Sequence, residues 1–522
     1  MISRLHIFRR DVSGPVEIGS LIPNEELCGF SERRDYLIRV VSEKSRLYVD
    51  DALLPKDYSQ QYWIWSPGFY AGEVVAELEI EGRHEPLKFY FRVDPAPEKA
   101  SCEKYQKYIQ QIVDYAPSLV VGTEPARHAV SGRSPQLFLW VSYARLRCYA
   151  DRYLAGLRAV VDRPVVGHTH YREQVPIHYA RRVDSTTIQR LRTNPALLLA
   201  IVNRKYEGSA VLENNSLDIP LTEPTLDIPA NRIVADQLHR VIRQVERLIN
   251  GFSILKNNES ETQTDIASRM QRRLEYLRRL SKRLLKISRN YPFNEVQKPH
   301  SGAEGLNAVS GVPHYDRTHR LGGKLLKVGL SDLGGNERHY LPPTWQIYET
   351  WCFVVLAQHL EQRYPEYNWV RNFKATSAEM LLEGTFGDKQ IKFFSQLCCP
   401  SMERQNRYGY CSISRERIPD ITLEITDGCE SVFFCLDSKY SVSRQSLLEA
   451  MASAHVYRDA IRYKGKPPKL SLLIAPAVLE AERLFERQYI DNHHVGCVVL
   501  SEEEDLAKIF DFIFEHQTIL SP

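Results

Sequence analysis

Arg417-Ile418-Pro419-Asp420 opens the stretch that decides the fold. An apolar run leads from it to Asp427-Gly428, and Val432-Phe433-Phe434-Cys435-Leu436-Asp437-Ser438-Lys439 follows. Asp-Gly between two β-prone runs predicts a hairpin. Such a hairpin lays Asp420, at the start of the first strand, beside Asp437, near the end of the second. Asp437 and Lys439 are two apart, so on an extended strand both side chains leave the same face. Pro-Asp at a strand start is common turn chemistry, and Asp-x-Lys on a strand is commonly a solvated edge. Burial separates this case from those: Val432 to Leu436 is apolar on both faces, the mark of an interior strand. An Asp and a Lys at the end of such a strand are costly unless paired with each other or with a metal. Two carboxylates there suit Mg²⁺, with Mn²⁺ as the alternative ion, because Mg²⁺ takes one or two carboxylates and keeps waters for a phosphate substrate. A lysine beside them can orient or deprotonate the attacking water.

Upstream, Trp345 to Leu356 reads as an apolar helix whose one acid is Glu349. Its bland alternative is a salt bridge to a neighbouring arginine. Downstream, Ser446 to Ile461 reads as a second helix carrying His455, Arg458 and Asp459. The whole arrangement resembles the PD-(D/E)xK nuclease superfamily. The resemblance implies that Asp420, Asp437 and Lys439 are catalytic, that Glu349 adds to the metal shell formed by Asp420 and Asp437, and that His455, Arg458 and Asp459 are accessory. Tyr348-Glu349-Thr350-Trp351-Cys352-Phe353 and His455-Val456-Tyr457-Arg458-Asp459-Ala460-Ile461 are similar to a bacterial family of large nuclease-like proteins related to McrC, the cleaving subunit of McrBC-type restriction systems. Leu226-Asp227-Ile228-Pro229-Ala230-Asn231-Arg232-Ile233-Val234 looks like a signature of that family's middle region, with Ala230 where glutamate is common. This likeness implies an AAA+ GTPase or ATPase partner and a role in restriction or antiviral defence.

A length of 522 residues predicts about three domains. The net charge of +3 excludes a polycation that grips duplexes by charge alone, and so points to a local basic patch or to a partner that holds the DNA. The ten cysteines show no C-x-x-C pair and read as reduced core residues of a cytoplasmic protein; adjacent Cys398-Cys399 with Cys411 makes a poor zinc set. The N-terminus has no signal-peptide core and no apolar run is long enough for a membrane span. No G-x-x-x-x-G-K-[ST] loop is present, Gly322-Gly323-Lys324 lacking both the upstream glycine and the hydroxyl, so this chain is not itself the motor.

Residues 1–97 read as a β-sandwich-like domain, in which Tyr62 to Tyr70 forms an aromatic cluster. A base-stacking surface and a sandwich core are both open to that cluster, and the core is favoured. Residues 98–335 read as a mainly helical middle. His168, His170 and His178 lie there among strand-like residues without an acid or cysteine to complete a metal set. Ile233–Leu255 and Ile266–Ile287 are two long amphipathic helices. The second carries Arg269, Arg272, Arg273, Arg279 and Arg283 against only Asp265 and Glu275, so these arginines are candidate phosphate contacts. Residues 336–522 are expected, from the resemblance, to form an α/β PD-(D/E)xK nuclease domain with a mixed sheet. The expected whole is an α+β multidomain protein. Its expected work is Mg²⁺-dependent cleavage of DNA, without membrane attachment; oligomers are compatible with the sequence. An adaptor with a non-cleaving nuclease fold and an RNA-cleaving nuclease are the alternatives.

Overall fold

The computed structural model describes residues 4–515 except 41–44, 58–60, 84, 117–118, 120–134, 177–178, 196–197, 199–215, 259–263, 328–341, 373–379, 429, 478–481 and 503. His178 and the expected 335/336 boundary lie outside the described residues. The chain packs as two compact units. One comprises Met1–Arg145, Gly251–Glu275 and Val328–Pro522, and the other Leu146–Asn250 and Tyr276–Lys327. The division into 1–97, 98–335 and 336–522 therefore describes order along the chain rather than packing.

In the first unit, ten strands form two five-stranded sheets. They are β1 (Leu5–Asp11), β2 (Gly14–Leu21), β3 (Glu26–Ser31), β4 (Tyr36–Val40), β5 (Ser45–Val49), β6 (Ala52–Leu53), β7 (Lys56–Asp57), β8 (Tyr62–Trp65), β9 (Gly72–Ile80) and β10 (Leu87–Asp94). The sheet orders are β2-β1-β4-β8-β7 and β3-β10-β9-β5-β6. Period-2 alternation sends Leu87, Phe89, Phe91 and Val93 of β10 inward, and Leu5, Ile7, Trp63 and Trp65 of the other sheet join them in one core. Trp63 and Trp65 of the aromatic cluster are thus core, Trp65 packed 5.1 Å from Phe91 between ring centroids, and Tyr62 and Tyr70 are half-buried. Phe69 is the exception, at 43% exposed.

The helices of the chain's first half are α1 (Cys102–Tyr115), α2 (Pro135–Asp162), α3 (Ser185–Thr193), α4 (Pro229–Asn258) and α5 (Thr264–Ser288). Three arginines of the basic stripe of α5 meet acids of the β-sandwich, while Arg278, Arg279, Lys282, Lys286 and Arg289 are exposed. Arg273 is 1% exposed, with Nε 3.1 Å from Oδ2 of Asp51. Arg272 is 6% exposed and pairs with Glu77 at 3.4 Å and with Glu79, its guanidinium lying over Tyr48. Arg269 lies 3.8 Å from Asp50. These three charges are bound by acids of the β-sandwich, because a buried guanidinium is stable only when paired. They are withdrawn from nucleic acid. Arg279 is exposed and Arg283 half-buried.

In the second unit, β11 (Gly167–Pro176) pairs with β12 (Ser216–Thr225). His168 and His170 are exposed on β11, and His170 Nδ1 meets the Thr222 hydroxyl at 3.0 Å. The Asp227–Asn231–Arg232 phrase is a structural clamp. Asp227 binds Arg232 through two hydrogen bonds of 2.8 and 3.0 Å. Buried Asn231 donates to the carbonyls of Leu226 and Val165 and accepts from the Tyr315 hydroxyl at 2.6 Å. Helices α6 (Ala303–Ser310) and α7 (Pro313–Leu326) complete this unit.

The C-terminal part of the first unit contains α8 (Thr344–Arg363), β13 (Asn368–Asn372), β14 (Met380–Phe386), β15 (Lys389–Ser395), β16 (Tyr410–Ser412), β17 (Ile421–Asp427), β18 (Glu430–Ser438), α9 (Arg444–Ala460), β19 (Ile461–Tyr463), β20 (Ser471–Ala475), α10 (Arg487–His493), β21 (Val495–Val499) and α11 (Glu504–Glu515). Seven strands form one mixed sheet, β13-β14-β15-β17-β18-β20-β21, antiparallel as far as β18 and parallel beyond it. Helices α8 and α11 cover one face, where Leu472 and Ile474 of β20 enter their core. Helix α9 covers the other face, against Leu473 and Ala475 of the same strand. A sheet buried on both sides needs continuous apolar strands, as β18 and β20 have. Helix α1, which follows the Asp94-Pro95-Ala96-Pro97 linker, also packs into the α8 core, with Tyr108 stacked on Trp351 at 4.0 Å. The α+β architecture, with a β-rich N-terminal region, a helical middle and a mixed C-terminal sheet, is therefore as the sequence indicates.

Candidate active site

The β17–β18 hairpin pairs Ile421 with Leu436, and this register sets Asp420 beside Asp437. Gly428 adopts φ +54°, the left-handed turn conformation that favours glycine. Residues 421, 423 and 425 face α8, so 420, 422 and 424 turn to the opposite side of the sheet, as do 435 and 437. Asp437 is 2% exposed, and Lys439 Nζ lies 2.7 Å from its Oδ2. The Ser438 amide donates to Asp420 Oδ2 at 2.8 Å. Lys439 continues the strand, its amide donating to the Ile474 carbonyl at 2.8 Å.

Glu349 joins this cluster from α8. Burial is the main force on it, the Lys439 ammonium opposes that force and the Asp437 carboxylate adds to it, and the net effect pushes its pKa up to about 8. Helix α8 is fixed around it by buried neighbours: the Tyr348 hydroxyl donates to the Leu500 carbonyl at 2.8 Å, and Trp351 Nε1 donates to Gln111 at 2.7 Å. Burial, together with the charges of Asp437 and Glu349, holds Asp420 well above the usual carboxylate range. Burial opposes the Lys439 ammonium, but Asp437 and Asp420 outweigh it and raise its pKa. Three acids and one lysine thus lie near one another, Asp437 buried and Asp420, Glu349 and Lys439 half-buried, with the acids repelling one another.

That crowding of carboxyl groups, two of which resist ionisation, is the observation that fits a divalent cation, which would favour their ionised forms. Asp420 and Asp437 are the side chains placed to hold one. Among the described residues no three His, Cys, Asp or Glu side chains converge as a ready ligand set, so Glu349 does not close a shell with them in this arrangement. Two carboxylates with water completing the shell is how Mg²⁺ is commonly held.

The accessory positions on α9 divide. His455 and Asp459 are exposed, and no contact joins them to the acids among the described residues. Arg458 is half-buried, and its Nε has no hydrogen-bond partner among the described residues. The residue between them, Tyr457, was not singled out from the sequence. Its hydroxyl donates to the Ile418 carbonyl at 3.2 Å. Burial, then Asp437 and Asp420, hold it un-ionised. Its only sequence signal is its place within the same helical phrase. Glu424 was also missed. It is buried on the Asp420 side of β17 and accepts from the Tyr410 and Tyr463 hydroxyls at 2.8 and 2.9 Å, with Lys392 Nζ at 3.8 Å. Its partners come from β15, β16 and β19, which no local pattern connects.

The mixed sheet thus delivers paired carboxylates and a lysine from adjacent strand ends. Residues 346–479 match the PD-(D/E)XK nuclease superfamily, and the C-terminal part of the chain is a domain of that superfamily. Residues 66–304 match a domain of unknown function, DUF2357, which begins within the β-sandwich and runs through the middle helices. No curated protein and no solved structure matches the chain. No helix among the described residues is long and apolar enough to cross a membrane.

Proposed function

We propose that the protein is a divalent-metal-dependent endonuclease that hydrolyses DNA phosphodiesters and serves as the effector of a prokaryotic restriction or antiviral system. The observation that carries this reading is the placing of Asp420 beside Asp437 by the hairpin register, with Lys439 Nζ 2.7 Å from Asp437 and Glu349 near them on α8. Asp420 and Asp437 would hold Mg²⁺ or Mn²⁺, which when bound lowers the pKa of water and neutralises charge on the phosphate. Lys439, cationic and anchored on Asp437, is placed to orient the attacking water and to stabilise charge developing on the phosphoryl oxygens. Glu349 holds a proton at neutral pH and gives it up as positive charge enters the site. The Tyr457 hydroxyl, bonded to the Ile418 carbonyl, steadies the segment that leads into Asp420. The intact set disfavours a non-cleaving adaptor.

The modest net charge of +3 and the engagement of Arg272 and Arg273 within the fold favour a chain that grips duplexes weakly by itself. We infer a latent enzyme whose timing comes from an AAA+ NTPase partner, in line with the McrC-like phrases. The test incubates the full chain with plasmid and Mg²⁺, with and without the AAA+ NTPase and nucleoside triphosphate. Cleavage that requires both supports the gated reading. Equally rapid cleavage by the chain alone leaves an autonomous nuclease in its place.

A further inference from the structure

The loop that follows Lys439 forms one wall of an open cleft of about 370 Å³. Ser441 and Ser443 line that wall, and Arg33, Arg34 and Lys99 line the wall opposite. The charges are not equivalent. Lys99 Nζ lies 3.5 Å from Glu32 and 4.7 Å from the Tyr440 ring centre, so Lys99 and Glu32 neutralise each other. Glu32 is further committed, accepting from the Ala96 amide at 3.1 Å and the Thr344 hydroxyl at 2.5 Å. Arg33 and Arg34 are exposed, and among the described residues neither pairs with an acid. Glu98 also lines the cleft, so its three cations, Arg33, Arg34 and Lys99, stand against two acids, Glu32 and Glu98, and leave a net positive charge.

Two further features point to a ligand. Arg33 holds φ +62°, a left-handed conformation that costs a non-glycine residue energy and tends to be kept where it aims a functional side chain. Its guanidinium carbon and Lys99 Nζ lie 5.5 and 5.6 Å from the ring centre of Phe69, the one residue of the aromatic cluster left open to solvent. An exposed aromatic ring beside a cation that no acid neutralises, here Arg33, is how sequence-tolerant single-strand surfaces are built, with phosphates on the cations and bases on the ring. The cleft is open, whereas small-molecule sites enclose most of their ligand.

We propose that this cleft binds the nucleic-acid strand flanking the scissile phosphate, with backbone phosphates on Arg33 and Arg34 and a base against Phe69. The proposal rests on the nuclease reading of the neighbouring site. It makes the N-terminal domain part of the substrate-binding surface, two to four residues from Lys439 along the loop.

The test measures binding of a fluorescein-labelled oligonucleotide to the full chain by anisotropy in EDTA across a salt series, so no cleavage is needed. Arg33→Gly with Arg34→Glu removes the charges, glycine being at ease at the left-handed position. Phe69→Ala removes the ring. Arg10→Gln with Arg83→Glu, the same change of net charge, is a control on exposed arginines elsewhere in the domain. The cleft variant should bind about tenfold or more weakly and flatten the slope of log affinity against log salt by about 0.7 to 0.9 for each lost phosphate contact. Phe69→Ala should weaken binding about five- to hundredfold with an unchanged slope. The control should stay close to the parent. Equal behaviour of cleft variant and control overturns the proposal, as does displacement of the oligonucleotide by micromolar mononucleotide or inorganic phosphate, which would mark a small-anion site. A chain that binds through the cleft but never cleaves, with any metal, leaves the proposal standing and sinks the nuclease reading instead.

Discussion

Lys439 Nζ lies 2.7 Å from Oδ2 of Asp437, a contact made possible because the two residues leave the same face of β18 at its end. The pair gives Asp437, which is buried, a counter-charge, and leaves Asp420 and Glu349 as the acids that carry the cost of crowding. Burial and repulsion raise both of those acids, Glu349 to about 8. The site is thus most strained when fully ionised, and this governs its response to pH and metal.

For Glu349 the folded-state pKa lies above the unfolded value, so the native protein binds the extra proton. Its contribution to stability is full below the ordinary glutamate range and is lost as pH rises toward about 8. Without metal, the melting temperature should fall between about pH 5 and pH 8. Mg²⁺ or Mn²⁺ should raise it more at pH 8 than at pH 6. Glu349→Gln, measured by differential scanning fluorimetry, should flatten the apo pH slope. An unchanged slope in that variant would remove Glu349 from the cluster.

Arg273→Ala should destabilise the chain by about 3–5 kcal/mol, because it takes the guanidinium counter-charge from the buried carboxylate of Asp51 and leaves it the Tyr143 hydroxyl. Urea unfolding of the first unit reads this loss directly. Binding of DNA, compared at temperatures where both proteins are folded, should keep the parent's salt slope. A flattened slope with normal stability would return the residue to nucleic-acid contact.

The hairpin was legible because its evidence is local: Asp-Gly at the turn, period-2 geometry in Asp437 and Lys439, and apolar residues on both faces of β18. The helix with Glu349 was legible for the same reason, as one acid in an apolar run. The arginines of α5 were not. A basic stripe that meets phosphate and one that meets buried acids read alike along a helix, and here the acids are remote, Asp51 lying 222 positions from Arg273. The same non-locality hid the Tyr410–Glu424–Tyr463 group and the packing of α1 into the nuclease core. Sequence separation, rather than weak chemistry, set the limit.

Asn231→Ala should cost about 2–4 kcal/mol, since it leaves the Leu226 and Val165 carbonyls and the Tyr315 hydroxyl without their partner. The loss should appear in the second unit's unfolding, followed by hydrogen exchange at α4 and α7. Exchange that stays at parental rates there would mean the phrase around Asp227 is kept for something other than the clamp.

The most direct test of the central claim is plasmid cleavage by the purified chain, with AAA+ partner and nucleotide supplied if the chain alone is silent, in Mg²⁺, in Mn²⁺ and in EDTA. Parent and Asp437→Ala are compared after circular dichroism shows both folded. The site predicts nicked or linear DNA with either metal, none in EDTA, and a rate at least about a hundredfold lower in Asp437→Ala. Lys439→Ala and Asp420→Asn should fall alongside it. An Asp437→Ala protein that cuts as well as its parent, or cleavage that persists in EDTA, would contradict the account.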